Sequence, residues 1–205
     1  KTNSKTQLFT FETVAGKRMT NKPLYILTSE KTFSAAEAFT YSLKHLDKAV
    51  VVGEITKGGA NRTMRFNLNE DFTISVPYIK AINPITKSNW EGKGVQPTIE
   101  TTAKEAYVKA YIAAVNKTVT RNKNSVLNNI GYEFLKEKSI DEAIIVFQEN
   151  TKLFPEDANS WDSLGEAYFH KRDKTNALKA YQKALELDPN SASAKKMIQK
   201  LEILK

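Results

Sequence analysis

At 205 residues the chain has room for one large domain or two modest ones, each able to bury a core. It holds no Cys and only two His, His45 and His170, which excludes disulfides and thiolate sites and argues against a histidine metal centre, so no cofactor is expected. The net charge of +8 belongs to the first part: residues 1–120 carry 17 Lys/Arg against 10 Asp/Glu and the remainder 14 against 13, without basic clusters or interleaved aromatics, so a solvated surface and no nucleic-acid groove is expected. No stretch approaches the roughly 20 apolar residues that span a bilayer. The start at Lys1, without initiator Met or apolar leader, leads us to expect a soluble piece of a longer protein.

In chain order, residues 1–22 are polar apart from the alternating stretch 8–14, read as an edge strand, and Gly16-Lys17-Arg18, read as a turn. Pro23 introduces an apolar run over 24–28 of the kind buried on both faces in a parallel sheet. A helix is predicted over 34–46, with Ala35, Ala38, Phe39, Ser42, Leu43 and Leu46 on one face. A second buried strand follows over 49–54, and this strand-helix-strand order implies a parallel pair in an α/β domain. The glycine loop Thr56-Lys57-Gly58-Gly59-Ala60-Asn61 suits either a plain turn or close approach to a ligand. Strands are predicted over 63–68 and 72–82 around the turn Asn69-Glu70-Asp71. A loop over 90–97 leads to Thr102-x-x-Glu105, a capping box opening a helix to about Lys117. The α/β domain is thus placed at 23–120.

Beyond a polar linker the chain repeats. Gly131 and Gly165, Ala143 and Ala177, Phe147 and Tyr181, Pro155 and Pro189 are each separated by 34 residues. Small residues let the two helices of a hairpin approach, aromatics fill the space beside them, and proline ends the second helix. Spacing and residue types resemble the tetratricopeptide repeat, with units at 124–157 and 158–191 and a capping helix from Ser191 to Leu204 completing a domain over 121–205. The first unit departs from the pattern, with Leu127 at the Trp position and Asn150 at an Ala position. Such repeats imply a protein partner, and Asn128, Tyr132, Asn159, Asp162 and Glu166 are the expected exposed positions on first helices.

Thr32-Phe33-Ser34-Ala35-Ala36-Glu37 joins the first strand to the first long helix. Ser34-x-x-Glu37 is a capping box, and a serine there is by default an N-cap. The same place also suits a nucleophile, whose hydroxyl would lie at the sheet edge while the Ala35 N–H stabilises an oxyanion. Taken with Leu24-Tyr25-Ile26-Leu27, Val51-Val52-Gly53-Glu54-Ile55-Thr56-Lys57-Gly58-Gly59-Ala60 and Glu91-Gly92-Lys93-Gly94-Val95-Gln96-Pro97 in this order, the stretch resembles the tail-specific (carboxy-terminal processing) serine peptidases. The likeness is to the branch that includes tricorn proteases and interphotoreceptor retinoid-binding protein.

That resemblance implies a crotonase-like α/β fold over the C-terminal part of a catalytic domain. It also implies Ser34 as nucleophile, Ala35 as an oxyanion donor, Gly58 and Gly59 in a substrate loop, and Glu91 as the carboxylate supporting a histidine base. In the processing-protease branch a lysine follows the nucleophile by 25 residues; here Gly59 stands there, and Lys57 is two residues early. Thr98 stands where the family usually has Asp after Gly-Val-x-Pro. The family's histidine and a Gly-Gly oxyanion turn lie upstream of the matched strand, whereas His45 falls about three helical turns, some 16 Å, from Ser34. The expected function is peptide hydrolysis through a Ser34 acyl-enzyme with an upstream base, the alternative being a ligand- or protein-binding module on the same fold. Peptide or protein substrates, a homo-oligomer and a periplasmic, cell-envelope or secreted location complete the expectation.

Overall fold

The computed structural model describes residues 4–17 and 22–203, which form five strands and seven helices. Strand β1 (Tyr25–Thr28) leads through Ser34 into helix α1 (Ala35–His45), and β2 (Val50–Gly53) follows. The β1–β2 pair is parallel, in the register Tyr25↔Val50 to Thr28↔Gly53. A short strand β5 (Ile99–Glu100) adds in parallel to the far side of β2, giving the order β1-β2-β5. The apolar run Val50-Val51-Val52 is therefore central, with Val51 and Val52 fully buried.

Strand β1 is an edge instead of the doubly buried strand its composition suggests, for Leu24 and Leu27 remain exposed. The edge strand expected over 8–14 is not formed: these residues are irregular, with Leu8, Phe9 and Phe11 nearly fully exposed. Alternation supplied a strand-like face there, but no neighbouring ladder takes up its backbone groups. Arg18, the last residue of the expected turn, lies outside the described residues.

The face of α1 also differs from its apolar pattern. Phe39 and Leu46 are exposed, whereas Glu37, Thr40 and Tyr41 are buried. The Thr40 hydroxyl donates to the Ala36 carbonyl at 2.8 Å and Glu37 finds four donors, so polar side chains enter the interior with their hydrogen bonds made. Tyr41 packs with Ala60, Trp90 and Val95, joining α1 to the two glycine loops.

Between those loops the chain rises into an antiparallel ribbon of β3 (Arg62–Asn67), shifted one residue from the predicted span, and β4 (Thr73–Ile79), shorter than predicted, turned at the expected place. Helix α2 (Ala106–Thr118) starts three residues later than its capping box suggests, because Thr102 and Glu105 close a separate turn through Glu105 N–H to the Thr102 carbonyl at 3.0 Å. Ala106 and Ala110 of α2 cover Val52 in the sheet, while Val108, Ile112 and Val115 enter the core of the helices that follow.

Those helices are α3 (Lys123–Lys136), α4 (Ile140–Leu153), α5 (Ala158–His170), α6 (Lys174–Leu187) and α7 (Ala192–Ile203). They pair as two helical hairpins with α7 on the last, the arrangement the 34-residue spacing predicts. A Cβ at Gly131 would lie 2.4 Å from the Phe147 ring and one at Gly165 2.9 Å from Tyr181, so each glycine is the floor on which its hairpin's aromatic rests. Ala194 and Leu201 of α7 close the core around Ala177, Tyr181 and Ala184. Asn150, fully buried, donates from its amide to Asn124 Oδ1 at 2.9 Å and to the Ser160 hydroxyl at 3.1 Å.

Candidate active site

Ser34 is the exposed N-cap of α1 and the Ser34–Glu37 capping box is formed, with Ser34 N–H donating to Glu37 Oε2 at 2.7 Å. Its backbone is unusual for a cap: φ is 57° and ψ −114°, where ordinary N-caps take β-region angles. Such a conformation costs a non-glycine residue on the order of 1–3 kcal/mol and persists only where the surroundings impose it. Capping does not require it. A strained strand-to-helix turn that lifts a serine hydroxyl above the sheet edge is, however, the geometry of an exposed nucleophile. The first intrahelical bond of α1 runs from Ala38 N–H to the Ser34 carbonyl, so the Ala35 N–H precedes the helix ladder and lies beside the Ser34 side chain at the positive end of the helix dipole.

Glu37 imposes the turn. Besides Ser34 N–H, its carboxylate accepts the Thr56 hydroxyl, Gly58 N–H at 2.7 Å and Gly59 N–H at 2.9 Å. Burial alone would push this carboxyl up, but the hydrogen bonds from Thr56, Gly59, Gly58 and Ser34 together outweigh it and hold the group below the ordinary glutamate range. One buried anion thus fixes both the serine turn and the Gly58-Gly59 loop. The N–H groups of the two glycines are committed to Glu37, and the Phe33 ring lies against Gly59, where a Cβ would come within 2.0 Å of it.

The second glycine loop is laced to the first. Gly92 N–H donates to the Gly58 carbonyl at 2.9 Å, and Val95 N–H donates to the Thr56 hydroxyl at 2.7 Å. Glu91 is exposed, and its Oε2 accepts Ala60 N–H at 2.7 Å and Asn61 N–H at 2.8 Å. Thr98 continues the lacing, its N–H donating to the Val51 carbonyl at 2.7 Å. Ser34, Gly58 and Gly59 are therefore joined directly through Glu37, Ala35 follows Ser34 at the helix start, and Glu91 is tied to the same glycine loop through Ala60 and Asn61. Glu37 and Thr56 were not singled out for this role by sequence reasoning, although the Ser-x-x-Glu spacing already pointed to one of Glu37's four bonds.

The other ionisable candidates are placed apart. His45 ends α1 and packs tilted against Tyr41 at 4.3 Å between ring centroids, with burial first and Lys44 second lowering its pKa against a smaller opposing effect of Asp47. His170 ends α5 near Glu166, at 3.8 Å. The Lys57 ammonium sits 5.4 Å from the centroid of the Phe33 ring, a cation–π seat. A cleft of about 560 Å³ lies elsewhere, where Lys104 and Lys171 bridge to Asp141 at 2.6 and 3.1 Å, and it has the character of a seam between the turn preceding α2 and the repeats.

On the first helices of the repeats, the Tyr132 hydroxyl donates to Glu166 Oε2 at 3.0 Å and lies 3.1 Å from the Ser163 hydroxyl. Burial, with the charges of Glu166 and Asp162, pushes the Tyr132 phenol up to about 12 against an opposing bond from Ser163. Asp162 accepts the Ser193 hydroxyl at 3.1 Å and is raised, chiefly by burial. Asn128 is partly buried and Asn159 exposed.

Comparison with known proteins agrees with both halves of this description. Residues 1–101 match the model of peptidase family S41, and residues 158–191 that of the tetratricopeptide repeat. Among curated proteins, Superkiller protein 3 of Schizosaccharomyces pombe is 38% identical over 74 residues, covering 36% of this chain and 5% of that protein. The chloroplastic tetratricopeptide repeat domain-containing protein PYG7 of Arabidopsis thaliana is 34% identical over 70 residues, covering 34% of this chain and 23% of that protein. The chain therefore spans less than a quarter of either relative. Solved structures that match include the first repeat domain of Spaghetti (RPAP3) bound to an HSP90 peptide, with TM-score 0.39, 20% identity and coverage of 48% of this chain and 80% of that one. The Sgt2 repeat domain from Aspergillus fumigatus matches with TM-score 0.40 and 19% identity, over 48% of this chain and 68% of that one. Residues 1–101 are thus similar to peptidase family S41, and the chain continues into a helical array whose second hairpin matches the tetratricopeptide repeat.

Proposed function

We propose that Ser34 is the nucleophile of a serine-type peptidase site, and the observation that carries this reading is its strained, positive-φ turn at the start of α1. In the proposed reaction the Ser34 oxygen attacks the carbonyl carbon of a peptide bond while its proton passes to a base. The oxyanion that forms is stabilised by the Ala35 N–H. Collapse expels the amine, which takes the proton, and leaves an acyl-serine; water then attacks this ester, releasing the acid and restoring the hydroxyl. The base is a histidine supplied by polypeptide outside these 205 residues, since His45 and His170 are tied to positions remote from Ser34. Glu91, exposed beside the glycine loop, is the carboxylate that would orient it. Gly58 and Gly59 act as the rigid floor of the substrate loop, held by Glu37 as described above.

The crotonase-like character of the sheet and an exported or cell-envelope location are parts of the same proposal. The repeats carry a protein partner or substrate, through the polar face that bears Tyr132, Asp162 and Glu166.

A fluorophosphonate probe tests the nucleophile, with imidazole added as an exogenous base. We expect slow labelling of Ser34 in this chain, acceleration by imidazole, and none in Ser34→Ala of unchanged circular dichroism. Absence of labelling with and without imidazole, or labelling that survives Ser34→Ala, would favour the ligand-binding alternative.

A further inference from the structure

The β3–β4 ribbon pairs with no other strand among the described residues, and every one of its residues is exposed. From Thr63 to the turn its register sorts the side chains largely by polarity. Met64 opposes Val76, Phe66 opposes Ile74, and Leu68 pairs with Phe72 just before the turn, so alternation places all six on one face. Thr63, Arg65, Asn67, Thr73 and Ser75 fall on the other, where Pro77, opposite Thr63, is the apolar exception. The six apolar residues are between 39% and 66% exposed. A ribbon of two strands is marginal in water unless its apolar face is covered, and one polar face means that the cover comes from one side only.

We propose that this cover is the same ribbon of a second copy of the chain, packed apolar face to apolar face and antiparallel, tip against root. Charge supplies the direction: Glu70 and Asp71 form the acidic tip, while Arg62 and Lys80 flank the root. A twofold axis between two antiparallel ribbons brings each acidic tip onto the partner's basic root, and a parallel pairing would set like charges together. The area is adequate. Six side chains roughly half exposed offer on the order of 600 Å² per copy, so the pair removes about 1,200 Å², the lower bound for a specific, stable interface. The interface is independent of whether Ser34 is a nucleophile.

Sedimentation velocity of the chain over about 1–100 µM tests the proposal, the range in which an interface of this size associates. We expect a reversible dimer, weakened at least ~30-fold by Phe66→Glu in the centre of the face and unaffected by Ser75→Glu on the opposite one. Glu70→Lys with Asp71→Lys should weaken it, and adding Arg62→Glu with Lys80→Glu should restore it. A monomer throughout the range overturns the proposal, as does a dimer indifferent to Phe66→Glu or one that the second charge reversal fails to restore. Hydrogen exchange separates the remaining occupant: a monomer with protected ribbon amides, whose protection vanishes when residues 4–17 are deleted, would assign the face to that exposed segment instead.

Discussion

Replacing Glu37 by Gln tests whether one buried carboxylate organises the candidate site. The change is nearly isosteric, yet the carboxylate accepts from four donors, two on each oxygen. A glutamine keeps one carbonyl oxygen and turns the other position into a donor, so either Ser34 and Gly59 or Thr56 and Gly58 face an N–H₂ group. Each buried donor left without an acceptor costs about 1–3 kcal/mol, and we expect a loss of roughly 3–5 kcal/mol in equilibrium urea unfolding. That is a large fraction of the ~5–15 kcal/mol a domain has available. Folding lowers this carboxyl's pKa, so between the folded and unfolded values the unfolded chain binds more protons. The stabilisation is complete above the ordinary glutamate value of about 4.3 and is lost as pH falls through the lower folded one. The difference between wild type and Glu37→Gln should therefore narrow across that acid window. A loss below ~1 kcal/mol at neutral pH, or a difference that does not change in acid, refutes the reasoning.

Ser34→Gly should raise stability by about 1 kcal/mol by relieving the positive-φ turn while abolishing probe labelling, and a fall in the unfolding midpoint would remove the case for strain. Gly53→Ala should destabilise by more than ~3 kcal/mol, because its φ is +134° and a Cβ would lie 2.1 Å from the Thr28 carbonyl oxygen of the neighbouring strand; thermal unfolding reads this directly. Asn150→Ala places in the first repeat the residue type found at Ala184 in the second, yet we expect a loss of about 1–3 kcal/mol, because Asn124 and Ser160 lose their shared donor. A stabilised Asn150→Ala protein would show that the network costs more than it returns.

Features with a long period or a local spacing were legible from the sequence. The 34-residue recurrence of Gly131/Gly165 and Phe147/Tyr181 survives folding because Gly131 meets Phe147 and Gly165 meets Tyr181, each within its own hairpin. The β1–α1–β2 order likewise follows from short apolar runs around one helix. What failed was the inference of burial from apolarity. On α1 the expectation chose Phe39 and Leu46, but the interior there is organised by hydrogen bonds, and the donors that draw Glu37 inward come from Thr56, Gly58 and Gly59, invisible to any helical period. The alternation over 8–14 matched a strand as well as that over 73–79 did, and only the latter has a partner in register. In the candidate site, Ser34 and Glu91 were nameable in advance, whereas the angle at Ser34 is a property of the assembled loops.

Helix α2 gives Ala106 and Ala110 to the sheet and Val108, Ile112 and Val115 to the repeats. A cut after its last residue would leave three buried aliphatic residues facing water, and a cut before its first would uncover Val52. The two halves of this chain are thus not interchangeable cassettes, and a recombination event that swapped one array of repeats for another would have to bring a matching α2 with it.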